Sequence, residues 1–403
     1  MVPDWKRELT HAYTSPHEAY RALGRPLPPE SELTRAARAF GVRIPRYYLS
    51  LIDPEDPNDP IALQCLPAVE ELWESPTDLE DAVGDEAMSP VPGIVRKHSD
   101  RVILLVSNTC SMYCRFCFRR PVASGHAVDG LRDRFRQAFA YLEGNLQIRE
   151  VILSGGDPLM LDDDALGSIL ERLRAIRHIR MVRIHSRMPV TLPARITPEL
   201  VALLRASRPL YLVTHFNHPR ELTDLAREKL RLLQDGGIPM LNQSVLLRGV
   251  NDSAETLGAL CWGLLEAGVT PYYLHHCDRT PGTGPFRTSI GHGRALMAGL
   301  KERVPGHGLP RYVLDIPGGH GKVSLEGMAA RELEHGIWEI TTPQGERVRY
   351  EDEPDPPLRL SLLAEPSGAG SSLLEPLLTG QVPRPVVDLS LIHISEPTRL
   401  RRI

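Results

Sequence analysis

From about residue 100 onward, short apolar, β-branched runs alternate with amphipathic stretches of helical period. The runs at 102–107, 150–154, 180–185, 210–215, 240–246, 271–276 and 311–316 predict strands. The stretches at 131–144, 162–176, 197–206, 219–235, 253–267 and 291–303 predict helices. Strands alternating with helices imply right-handed βαβ units around a parallel sheet. Six or seven such units fit a barrel, or a partial barrel, better than an open sheet. The expected class is therefore α/β, a partial (β/α)6-type barrel over 96–310.

The flanks read differently. Residues 1–95 read as helical and irregular, with helical periodicity over Ser31–Phe40. Proline and acidic residues crowd 53–60 and 75–92, which predicts loops wrapping a surface. A C-terminal segment, 311–351, carries a β-hairpin at 336–350 turning on Pro343 to Gly345. From 352 to 403 the composition shifts to Pro, Ser, Gly and Leu, and a poorly ordered tail is expected. Its last stretch, from Leu389, resembles translated sequencing-adapter read-through, which implies an artefact.

Chemically loaded residues fall at one end of nearly every unit. Cys110 follows the first strand, and Ser154, Gly155, Gly156 and Asp157 follow the second. His185 and Arg187 end the third, and His215, Asn217 and His218 the fourth. Gln243 lies in the fifth, Asp278 ends the sixth, and Asp315 to Lys322 ends the last. Barrel enzymes assemble their sites from the carboxyl ends of strands. A single His or Asp there often only caps the next helix, but such caps do not account for the whole set.

Composition narrows the class without adding chemistry. The chain has 403 residues, 42% hydrophobic and 24% charged, with net charge −4. That balance suggests neither a nucleic-acid nor a membrane partner. No apolar run approaches the ~18 residues of a membrane span, and the N-terminus has no apolar signal core. Six cysteines, three of them clustered, point to a reducing cytoplasm rather than a disulfide scaffold.

The clustered cysteines are Cys110, Cys114 and Cys117, followed by Arg119 and Arg120. Thiolates at this density bind soft metals or iron–sulfur clusters. Zinc usually takes paired knuckles and a fourth protein ligand, and no second knuckle exists here. Three cysteines leave one iron of a four-iron cluster open. With the aromatic Phe116 before the last cysteine, the motif resembles that of the radical S-adenosylmethionine (SAM) enzymes.

A second motif, Pro317-Gly-Gly-His-Gly-Lys322, is glycine-rich and ends in lysine. A phosphate-binding P-loop needs Gly six residues before the Lys and Ser or Thr after it, where this chain has Ile316 and Val323. A plain turn with a surface lysine is one alternative. A Schiff-base lysine for pyridoxal phosphate (PLP) is the sharper one, because glycines allow close backbone approach to a cofactor.

Five stretches together carry a closer likeness: the cysteine motif through Arg120, Ser154–Asp157, Arg187–Thr197, Gln243–Asp252 and Pro317–Lys322. In this order they resemble the lysine 2,3-aminomutase family. That resemblance implies an isomerase with a [4Fe–4S] cluster, SAM and PLP. A SAM-derived radical would take hydrogen from C3 of the substrate, nitrogen would migrate from C2 to C3 across the PLP imine, and the hydrogen would return. It also implies roles. Cys110, Cys114 and Cys117 would hold the cluster; Gly155, Gly156, Asp157, His215 and Gln243 would meet SAM. Lys322 would hold PLP, with Arg101 and Lys97 at its phosphate, and Arg119 would pair with the substrate carboxylate. A homo-oligomer and a reducing donor such as flavodoxin or ferredoxin are further expectations.

Substrate choice rests on Asp278 and Asp315, which match aspartates that hold the distal ammonium in the lysine enzymes. Facing a distal carboxylate, such a pair would repel. Lysine is favoured; arginine, glutamate, and β-lysine supply for modifying an elongation factor stay open as alternatives. A non-catalytic iron–sulfur carrier is the other class, and it has no use for Lys322. The chain departs from the family in four places. Lys97 stands for an arginine, Phe116 for a histidine, His320 interrupts the glycine run, and Ser253 stands where some relatives have a zinc-binding cysteine. No structural zinc is expected, and Cys65, Cys261 and Cys277 read as ordinary thiols.

Overall fold

The computed structural model describes residues 4–120 and 131–352. The expected tail from 353 onward lies outside the described residues. Nine strands form one sheet in sequence order. They are β1 (Ile94–Val95), β2 (Arg101–Ser107), β3 (Glu150–Gly155), β4 (Met181–His185), β5 (Leu210–Thr214), β6 (Met240–Val245), β7 (Val269–His275), β8 (Arg311–Asp315) and β9 (Lys322–Ser324). Strands β2 to β8 pair in parallel, each with the next. Helices Leu131–Gly144, Asp163–Ala175, Pro198–Ala206, Asp224–Asp235, Ala254–Glu266 and Ile290–Lys301 make the six crossovers. The curled parallel sheet is the expected partial barrel.

Local chemistry sets the helix starts. Thr197, Thr223, Ser253 and Ser289 each accept a backbone N–H three residues on with a side-chain oxygen. The helix expected from 219 starts instead at Asp224, because Thr223 caps it and Pro219–Glu221 forms a separate 3₁₀ turn. The sixth parallel strand begins at Val269, not at 271: Pro271 sits inside it, beside a register shift opposite Asn242 and Gln243. Position 253 is thus occupied by a helix-capping hydroxyl.

The sheet ends differ from the βαβ pattern. β1 runs antiparallel to β2, and β9 antiparallel to β8, with Asp315 opposite Lys322. The expected hairpin is present as β11 (Ile337–Thr341) and β12 (Arg347–Glu351). A further strand, β10 (Ala330–Glu334), pairs with β11 and completes a small sheet. Trp338 and Tyr350 of that sheet pack with Met297, Leu314 and Ile316 in a shared core, which stiffens the hairpin carrying Lys322. The N-terminal helices are also built into the barrel: Trp5, Tyr20, Tyr48 and Leu63 share one core with Leu104, Leu153 and Leu212. Among the described residues, no helix is long and apolar enough to cross a membrane.

Candidate active site

The carboxyl ends of the parallel strands open on a cavity of about 390 Å³. Its lining includes Cys110, Cys114 and Cys117, then Gly155, Gly156 and Asp157, then His215, Gln243, Asp278 and Asp315. Lys97, Arg101, Arg119 and Lys322 complete the set, so every residue given a cofactor or substrate role meets this one space, whereas Arg120, Asn217 and His218 do not line it. The cysteine sulfurs and the Lys322 amine therefore share a cavity.

The cysteine loop is held from behind by the N-terminal helices. Glu71 takes Arg115 with both oxygens, at 2.8 and 2.6 Å, and Arg120 at 3.0 Å. Both guanidiniums lie over the Phe40 ring, each 4.8 Å from its centroid. Arg120 also donates to the carbonyls of Arg115 and Gly282. Arg43 donates to the Cys110 carbonyl at 3.0 Å. On the cavity side, Arg187 donates to the Cys114 sulfur at 2.8 Å and to Glu221 at 2.8 Å. Burial pushes the Cys117 thiol up to about 11, and Cys110 well above the usual thiol range with Asp157 adding to it. A bound metal centre would reverse that bias, since it deprotonates its thiol ligands outright. Among the described residues no three His, Cys, Asp or Glu side chains converge on a single-ion site.

The two glycines after β3 are required by the backbone. A Cβ on Gly155 (φ 119°) would lie 2.2 Å from the Ser107 carbonyl oxygen, and one on Gly156 2.3 Å from that of Thr109. The Gly156 and Asp157 N–H groups donate to Ser107 and Thr109 at 2.7 and 2.9 Å, stitching this turn to the cysteine loop. Asp157 spends its carboxylate inward, on Leu159 N–H, Ser186 Oγ and Arg187 N–H.

Two imidazoles face the cavity with spare capacity. His185 and His215 each bury Nε2 without a protein partner. Burial pushes both well below the usual imidazole range, so both are neutral. Buried polar atoms are normally satisfied, and these two belong to residues of the cavity wall. His185 stood out only as a strand end; nothing in its sequence context assigned it a contact.

At the far end, Lys322 Nζ meets Asp315 at 2.6 and 2.7 Å, and His275 Nδ1 lies 3.2 Å from Asp315. Burial opposes the charge on Asp315, but Lys322 and His275 hold it well below the usual carboxylate range. Burial, then the charge of Asp315, pushes Asp278 up to about 8. Lys322 lies 5.8 Å from the Tyr273 ring, which stacks on Tyr272 at 3.8 Å. Neither tyrosine was marked by a motif. Gly318, Gly319 and Gly321 all have positive φ, and His320 turns outward to Glu346 at 3.2 Å, which explains why a side chain is tolerated there. Arg101 pairs with Asp100 at 2.9 Å, and Lys97 with Asp85 at 2.7 Å. Cys65, Cys261 and Cys277 are buried free thiols.

Comparison with known proteins agrees with this geometry. The Radical SAM superfamily profile matches residues 104–260. The chain is 42% identical to the L-lysine 2,3-aminomutase of Clostridium subterminale, over 80% of this chain and 77% of that one. It is 40% identical to the L-lysine 2,3-aminomutase of Acetoanaerobium sticklandii, over 87% and 85%. The glutamate 2,3-aminomutase of Clostridioides difficile is 38% identical, over 78% and 74%. The chain thus belongs to the lysine 2,3-aminomutase family of radical SAM isomerases, which work with a [4Fe–4S] cluster, SAM and PLP.

Proposed function

We propose that this enzyme moves the α-amino group of L-lysine to C3, giving β-lysine. The observation that carries the reading is the carboxylate pair Asp278 and Asp315 in the cavity that also holds Arg119. Identity alone does not choose the substrate, since a lysine and a glutamate enzyme match at 42% and 38%. The charges do: one guanidinium for an α-carboxylate and two aspartates for a distal ammonium describe lysine. The Lys322 ammonium on Asp315 occupies the kind of contact a substrate ammonium would make.

Each residue then has a task. Cys110, Cys114 and Cys117 ligate the cluster, and Arg187 places a positive charge against the Cys114 sulfur. The Gly155–Asp157 turn, His215 and Gln243 line the part of the cavity that would take SAM. Lys322 holds PLP through its amine, and Arg101 and Lys97 bring positive charge to its phosphate. Bound together, the cofactors supply a carbon radical and a π system, which the migration needs because no side-chain base removes a proton from an unactivated CH₂. The protein contributes orientation and exclusion of water. A reducing compartment, a low-potential donor of the flavodoxin or ferredoxin kind and a homo-oligomeric state complete the proposal.

Anaerobic reconstitution with iron, sulfide, PLP and SAM, followed by lysine, arginine and glutamate, tests it. Lysine is expected to be turned over and glutamate not; turnover of glutamate in preference to lysine contradicts the reading. The pH profile adds a second check. Burial and the charge of Asp315 push Asp278 up to about 8, so it gains negative charge as pH rises through that region. A cationic substrate binds the ionised form better, and the lysine ε-ammonium persists to about 10.4. Lysine affinity should therefore rise as pH passes through about 8 and level off above it, and Asp278→Asn should flatten the rise.

A further inference from the structure

A carboxylate that no motif marks sits between two of the cationic anchors. Asp85 Oδ2 accepts from Nε and Nη2 of Arg119, at 2.9 and 2.8 Å. Its Oδ1 lies 2.7 Å from Lys97 Nζ. Lys97 also donates to the Val83 carbonyl at 2.7 Å, and Arg119 Nη1 to Ser154 Oγ at 3.0 Å. The three charged side chains are only 12–18% exposed, and all line the cavity. In such surroundings an ion pair is screened little.

The turn that carries Asp85 is fixed at several points. Asp81 accepts the N–H groups of Asp85 and Glu86 at 2.7 and 3.0 Å. Leu79 donates to the Arg279 carbonyl at 2.7 Å. Gly84 has φ of 72°, and a Cβ there would lie 2.1 Å from the Gly319 nitrogen. The turn therefore presses backbone to backbone on the loop that leads to Lys322.

We propose that Asp85 is a positioning residue for substrate recognition: it grips the Nε edge of Arg119, ties it to Lys97, and turns the free Nη edge to an amino-acid α-carboxylate. A guanidinium has five N–H donors. Asp85 takes two and Ser154 one, which leaves one on each Nη, the fork that matches a carboxylate. The charges also fit. Two cations and one carboxylate leave a single positive charge, balanced by one α-carboxylate. Without Asp85 the same place would carry two uncompensated cations and would favour anions of higher charge. Lys97 then serves the carboxylate anchor through Asp85, in addition to its charge near the phosphate. This inference rests on the reading of Arg119 given above.

The test uses reconstituted holoenzyme and compares binding of lysine with lysinamide, which lacks the carboxylate. Binding is read as a ligand-dependent change in cofactor absorbance, beside iron and PLP contents. Asp85→Asn is expected to keep both contents and to weaken lysine by about tenfold or more, while lysinamide shifts by less than about twofold. Asp85→Glu, which restores the charge, should recover most of the loss. Lys97→Gln should weaken lysine as well, and the double variant should be no weaker than Asp85→Asn alone. Equal weakening of both ligands, unchanged lysine affinity, or loss of iron and PLP in Asp85→Asn would each overturn the proposal. If the wild-type enzyme itself fails to prefer lysine over lysinamide, the Arg119 reading falls first, and this proposal with it.

Discussion

Lys322→Ala is expected to abolish aminomutase activity, by on the order of 10⁴-fold or more, and to remove the PLP absorbance band while iron and sulfide contents stay at wild-type levels. The separation follows from the fold. Lys322 enters from the β8–β9 hairpin, whereas the cysteines sit on the loop after β2, held by Arg43, Glu71 and Arg187. Loss of the amine leaves none of those contacts broken. It does leave Asp315 without its closest cation, since Lys322 Nζ is 2.6 Å away. Adding a small primary amine should restore part of the turnover, because it supplies the missing nitrogen. Retained PLP absorbance in the variant would show that a different lysine holds the cofactor. An iron–sulfur carrier would be indifferent to the substitution.

Glu71→Ala should cost more stability than any surface change. Glu71 is 3% exposed and balances two guanidiniums, Arg115 at 0% and Arg120 at 9%. Removing one partner of a buried network leaves uncompensated charge and typically costs about 3–5 kcal/mol. The Arg115 backbone N–H donates to Gln64 at 3.0 Å, and Arg120 reaches back to the Arg115 carbonyl, so the disturbance runs straight into Cys114 and Cys117. A urea melt should show the destabilisation, and iron content should fall with it. Glu326→Ala provides the contrast. It breaks a pair with Lys301, whose side chain is 56% exposed, and should cost less than about 1 kcal/mol. Equal effects of the two substitutions would mean that Glu71 does not support the cysteine loop.

Much of the barrel was legible because parallel strands buried on both faces carry continuous apolar runs, as Val151–Leu153 does within the wholly buried Glu150–Gly155. The antiparallel edges were not legible. Ile94–Val95 has two residues and Lys322–Ser324 three, too short for any period to show. The cysteine motif and the lysine loop were legible because their chemistry needs fixed spacing. Asp85, Glu71 and the Tyr272–Tyr273 stack were not, since each reaches the site through tertiary contact. Asp85 lies in a proline-rich, acidic stretch that resembles any surface loop, and only the close approach of Gly84 to Gly319 shows where it goes. Asp315 was read from sequence as a substrate contact alone. The hairpin register that sets it opposite Lys322 adds a partner that spacing could not reveal.

The central claim is that the cysteine-bound centre and Lys322 act on one substrate in one cavity. Lysine carrying deuterium at C3 tests it most directly. The account predicts deuterium in the 5′ position of recovered SAM and at C2 of the β-lysine formed, with both signals absent in Lys322→Ala. Product whose C2 hydrogen comes from solvent, with no label in the recovered SAM, would contradict it.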